Sequence, residues 1–134
     1  MNNIKPLGLG MLLLCFGCTT DCCLYKTSAK IYLINETSTS IKSNTVLGYT
    51  IKPGDTLIHT ETYETEWSQM PTVKTYQPFA NTVGRTFFYE GSSKCETGML
   101  NIENYENVKE VSDLNFELTF HFTDEKKENA ETCN

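Results

Sequence analysis

Residues 114–122 read LNFELTFHF. Leu114, Phe116, Leu118, Phe120 and Phe122 fall on one side of an extended chain, and Asn115, Glu117, Thr119 and His121 on the other. Unbroken alternation over nine residues predicts a β-strand with one face on a core and one in water. It sets the expectation for the whole chain, because such a face needs a second layer to cover it.

Moving outward, segments of the same kind recur. KIYLIN (30–35) is apolar on both faces and predicts a central strand. VLGYTI (46–51) puts Leu47, Tyr49 and Ile51 on one side. It runs into Lys52-Pro53-Gly54-Asp55, a type II turn signal in which Pro presets the first central φ and Gly accepts the positive second one. TLIHTETYE (56–64) follows as the expected return strand of a hairpin. RTFFYE (85–90) ends at the turn GSS, and KCETGMLNIENY (94–105) reads as a weaker strand. VKEVSD (108–113) reads as a loop, and 65–82, with Trp67, Pro71 and Pro78, as irregular chain. Thr123 precedes an acidic first turn and predicts a short C-terminal helix. Together these predict an all-β fold, an antiparallel β-sandwich of immunoglobulin-like or similar type, over residues 30–134.

The N-terminus has a different composition. Four of the six cysteines, Cys15, Cys18, Cys22 and Cys23, lie within nine positions, behind the apolar stretch Leu7–Phe16. With Lys5 and the α-amino group ahead of it, the stretch has the charged and apolar regions of a secretory signal. It is too short to cross a bilayer, which takes about 20 apolar residues. Gly17 at the cut and Cys18 after it, in CFGC (15–18), resemble the bacterial lipoprotein signal. The resemblance implies a signal peptide over 1–17, acylation of Cys18 and membrane attachment through its acyl chains. Residues 18–29 read as a flexible tether.

The 30–133 region, with its N-x-T turn at 35–37, PGD turn, SSKC at 92–95 and closing F-T-D-E with N-A-x-x-C, resembles small bacterial lipoproteins of the Bacteroidetes type. That resemblance implies a cell-envelope location at the outer membrane and a β-rich fold. It implies no reaction. Asp55-Thr56-Leu57 similarly resembles the O-glycosylation signal of secreted proteins from such bacteria, with Thr56 as acceptor.

Charge and chemistry narrow the function classes. The chain of 134 residues has a net charge of -6. Removing residues 1–17 takes only Lys5 and leaves ten Lys and Arg against seventeen Asp and Glu, a balance of -7. An acidic surface repels phosphate backbones, so no nucleic-acid partner is expected, and it offers no polybasic route to anionic lipid. His59 and His121 lack metal-ligand spacing and the cysteines lack C-x-x-C, so no metal and no cofactor is expected. No nucleophile motif or phosphate loop occurs, so no enzymatic activity is expected.

Cys22, Cys23, Cys95 and Cys133 remain for disulfides. A bridge between adjacent Cys22 and Cys23 would be strained, which favours Cys95 with Cys133, although cross-pairs to Cys22 or Cys23 remain open. Such a staple contributes roughly 4 kcal/mol in the chain-entropy model. Trp67, Met70, Tyr76 and Phe79 cluster in the irregular segment and form either a binding patch for a protein or glycan partner or a plug over the end of the core. The functional expectation is a lipid-anchored extracytoplasmic binding module; the alternative is a lipoprotein inhibitor or immunity factor against a toxin or hydrolase.

Overall fold

A computed structural model describes residues 24–66 and 69–133. The expected signal peptide over 1–17 and the residues Cys18, Cys22, Cys23 and Trp67 lie outside the described residues. Nine strands and one short helix follow in the order β1 (Leu24–Asn35), β2 (Ile41–Ser43), β3 (Thr50–Ile51), β4 (Thr56–Glu66), β5 (Phe87–Tyr89), β6 (Lys94–Glu96), β7 (Asn107–Ser112), β8 (Asn115–Phe122), α1 (Asp124–Asn129) and β9 (Glu131–Thr132). They form a four-stranded sheet, β4-β1-β8-β7, and a five-stranded sheet, β3-β2-β5-β6-β9. The chain is therefore mostly β, in two largely antiparallel sheets.

The strand that decided the expectation is β8, and its alternation holds. Phe116, Leu118, Phe120 and Phe122 are buried, and the residues between them are half-exposed. Their partners come from both sheets. Phe122 lies 4.8 Å from Phe120 in its own strand and 5.6 Å and 6.1 Å from Phe87 and Tyr89 of the other sheet, centroid to centroid. Ile31 and Leu33 of β1 and Ile41 and Ile51 of the second sheet complete the core.

Several expectations are corrected. β1 begins at Leu24, so residues 24–29 are strand rather than tether: Tyr25 and Thr27 pair with Thr65 and Tyr63 of β4, which runs further than its sequence pattern suggested. β1 and β8 run parallel, with Ile31 opposite Leu118. These strands are far apart in the chain, and no tight turn dictates their relative direction. Residues 107–112 form β7, not a loop. It is an edge strand with exposed, charged side chains and a register shift between Glu110 and Ser112, so it carries no apolar alternation. Leu114 sits in the β7–β8 turn at φ 55° instead of leading the strand. Of 46–51 only Thr50–Ile51 is strand. Val46 and Leu47 form a turn, closed by the Gly48 N–H to Thr45 carbonyl bond with Gly48 at φ 61°, and Leu47 is left exposed. Of 94–105 only Lys94–Glu96 is strand, followed by a 3₁₀ turn at Ile102–Asn104.

The Pro53-Gly54 turn forms as expected, with Gly54 at φ 81° and Asp55 N–H donating to the Lys52 carbonyl at 3.0 Å. It does not close a hairpin. β3 pairs with β2 and β4 with β1, so the turn hands the chain from one sheet to the other. Buried Asn35 fixes this corner. Its amide donates to the Thr39 and Ile51 carbonyls at 2.7 and 2.9 Å, while its Oδ1 accepts from the Thr37 N–H and hydroxyl at 2.9 and 2.7 Å. Every hydrogen-bonding site of the amide is used, which removes the cost of burying it.

Candidate functional site

The densest chemistry lies on the inner face of β4. His59 and Glu61 are two residues apart in a strand and so share a face, here the face turned toward the core. Their side chains are only 5% and 9% exposed. His59 Nε2 stands 3.2 Å from Glu61 Oε2, and its Nδ1 stands 2.9 Å from the Tyr49 hydroxyl. An ionised carboxylate accepts only, which assigns the Nε2 proton to His59 and, for a neutral ring, makes Nδ1 the acceptor of the Tyr49 O–H. Glu61 Oε1 also accepts from the Tyr76 hydroxyl at 2.5 Å, and the Phe79 N–H donates to both carboxylate oxygens at 3.1 Å.

The same groups pack as rings. His59 stacks on Phe79 at 4.5 Å, and Tyr76 stacks on Phe116 at 4.8 Å. Phe79 holds φ 58°, a left-handed conformation that bulky residues rarely adopt and that its bonds to Glu61 help to maintain. The cluster therefore fastens the irregular 69–82 segment to β4. Burial first, then the charge of Glu61, pushes the Tyr76 hydroxyl well above its ordinary range, and burial raises that of Tyr49. These phenols stay protonated and act as donors. A histidine, a carboxylate and two phenols at these distances could relay a proton, yet each polar atom of His59 and Glu61 is already engaged by the chain itself.

The expected aromatic patch is resolved by the same contacts. Tyr76 and Phe79 are fully buried and form the plug; Met70 is half-exposed and apart from them in role. A surface made by Met70, Tyr76 and Phe79 together does not form. Glu61 was missed in the sequence, although the i, i+2 spacing from His59 in a strand was the available signal. His121 lies on the outer face, where its Nδ1 meets Glu36 Oε1 at 2.9 Å. Thr56 is exposed at the first position of β4.

A second polar region lies beside α1, a cleft of about 520 Å³ that includes Glu96, Asn104, Phe120, Glu125, Lys126 and Asn129 in its walls. The Lys126 amine bonds Glu106, donates to the His121 carbonyl at 2.7 Å and sits 4.0 Å above the Phe120 ring. Burial lowers its pKa against the opposing pull of Glu96 and Glu36. Glu96 accepts from the Tyr89 hydroxyl at 2.7 Å, and burial raises its pKa despite that bond. The Thr123 hydroxyl caps α1 by accepting from Lys126 N–H at 3.2 Å, as the sequence led us to expect. Beside this cleft Cys95 and Cys133 stand at disulfide distance, their Cα atoms 5.9 Å apart.

Among the described residues no group of three or more His, Cys, Asp or Glu side chains is arranged to hold a metal ion. No helix among them is long and apolar enough to cross a membrane. Comparison with protein-family models, with curated proteins and with solved structures yields no match, so the chain's assignment rests on its own residues.

Proposed function

We propose that this chain is an extracytoplasmic binding module of a bacterial cell envelope, held to the outer membrane by acyl chains on Cys18 and catalysing no reaction itself. In this reading the two sheets form an immunoglobulin-like sandwich, supported by the core that side chains of both sheets share. The observation that carries the proposal is the Cys95–Cys133 pair, since stable disulfides belong to oxidising compartments and so to exported proteins.

Binding is supported by the way the polar atoms are used. The buried His59–Glu61 cluster is consumed in holding a loop, while apolar side chains stand unused at the surface. Val46, Leu47 and Val83 are 76%, 56% and 72% exposed. They sit on two loops joined by the Val46 N–H to Val83 carbonyl bond at 3.4 Å. Exposed aliphatic side chains gathered on adjoining loops suit contact with a protein or glycan partner. The net charge of -6 favours a second reading, an inhibitor or immunity factor against a basic toxin or hydrolase.

Fractionation of Cys18→Ala tests the anchor. Acyl burial contributes about 0.8 kcal/mol per methylene, so the variant is expected in the soluble fraction or unprocessed. A Cys18→Ala protein that matures normally and stays on the membrane overturns the anchored reading.

A further inference from the structure

We propose that β4 is the seam of a two-fold dimer, in which a second copy of this chain lays its own β4 antiparallel against the edge of the four-stranded sheet that no other described strand pairs. β4 is the terminal strand of that sheet. In an extended strand the N–H and C=O of one residue point to the same side, and the side alternates along the chain. Three bonds fix the alternation in β1. Ser28 N–H donates to Leu114 O at 3.0 Å and Glu36 N–H to Phe122 O at 2.8 Å, both toward β8, whereas Asn35 N–H donates to Asp55 O at 2.9 Å, toward β4. Odd-numbered residues of β1 therefore face β4.

Across the register, Ile31 opposes His59 and Leu33 opposes Leu57. Odd residues of β4 then spend their backbone groups on β1, and Thr56, Ile58, Thr60, Thr62 and Glu64 aim theirs outward. Among the described residues no hydrogen bond reaches these outward groups, and all five side chains are exposed. The opposite edge, β7, carries the usual defences of short length, charge and a bulge. β4 is eleven residues long, contains no proline and pairs with β1 without a register shift.

A second copy is the occupant that the side chains fit. Outward residues must oppose outward residues, and centring the pair on Thr60 sets Thr60 against Thr60, Ile58 against Thr62 and Thr56 against Glu64. On the inner face the same register sets His59 of one copy opposite Glu61 of the other. Sliding by one step in either direction opposes Glu61 to Glu61 or His59 to His59. The Thr60–Thr60 pair on the axis favours the first arrangement, and the like-charge Glu61–Glu61 pair disfavours the slide that centres on Glu61. The contact is isologous and closes on itself, so it ends at a dimer.

Sedimentation of the full chain in mild detergent, over the micromolar range, reads the outcome. A dimer is expected. Thr60→Lys and Thr60→Glu each place like charges on the two-fold axis and should each raise the dimer dissociation constant by about fivefold or more. An equimolar mixture of the two should restore dimers. Thr119→Lys, on the outer face of β8 away from the edge, should dimerise as the parent does. Circular dichroism confirms that each variant is folded. A monomeric parent, or dimers unaffected by both Thr60 variants, overturns the seam. Monomeric variants that fail to pair when mixed overturn the two-fold register.

Discussion

Glu61 accepts hydrogen bonds from a tyrosine hydroxyl, a histidine ring and a backbone amide that lie on separate parts of the chain. Glu61→Gln keeps the shape but puts an amide donor where only donors converge. It should cost about 1.5–3 kcal/mol in denaturant unfolding and loosen the 69–82 segment first, seen as faster amide exchange there. An unchanged midpoint would mean that the carboxylate is not what holds the loop. Glu96 makes a prediction about pH. Its folded pKa is raised by burial, so its contribution to stability is fully present below the ordinary carboxylate pKa and is lost as pH rises through the folded value. Glu96→Gln keeps an acceptor for the Tyr89 hydroxyl and cannot ionise. The decline in unfolding midpoint with rising pH across that window should be shallower in the variant than in the parent, and parallel curves would refute the assignment.

At the scale of elements, two glycines with positive φ separate local strain from steric collision. Gly54 at φ 81° has open space where a Cβ would stand, and Gly54→Ala should cost about 1 kcal/mol through backbone strain alone. Gly84 at φ 71° would carry its Cβ to 2.1 Å from the Asn44 carbonyl oxygen. That backbone belongs to the bonded pair of loops bearing Val46 and Val83, so Gly84→Ala should lose several times more stability, as thermal melts of the two variants would rank. Equal losses would mean that the loops part freely. Elements governed by neighbours in sequence were legible: the alternation of β8, the Pro-Gly turn, the Thr123 cap. What depended on distant partners was not. The PGD signal is the same whether its strands pair with each other or part into different sheets. VKEVSD is polar because it borders solvent at an edge, and His59 finds Tyr49 only after the chain has passed through the turn between β3 and β4.

On the scale of the whole molecule, five of the eight connections between consecutive described strands change sheet: β1 to β2, β3 to β4, β4 to β5, β6 to β7, and β8 through α1 to β9. Cys95 of β6 and Cys133, the residue that follows β9, stand at disulfide distance, so the two cysteines meet where the last crossing ends. The plug formed by Tyr76 and Phe79 was not legible in the sequence because it depends on contacts across 15 and 18 positions with Glu61. The parallel pairing of β1 with β8 has a consequence in time. β1 leaves the ribosome early, but its β8 neighbour, separated from it by most of the chain, emerges near the end. Until then Ile31 and Leu33 lack the strand that flanks them on one side, and the pairing carries a large loop-closure entropy. Folding is therefore expected to be slow and largely post-synthetic. If the chain is exported as proposed, that delay keeps it threadable until its last long strand has followed the first.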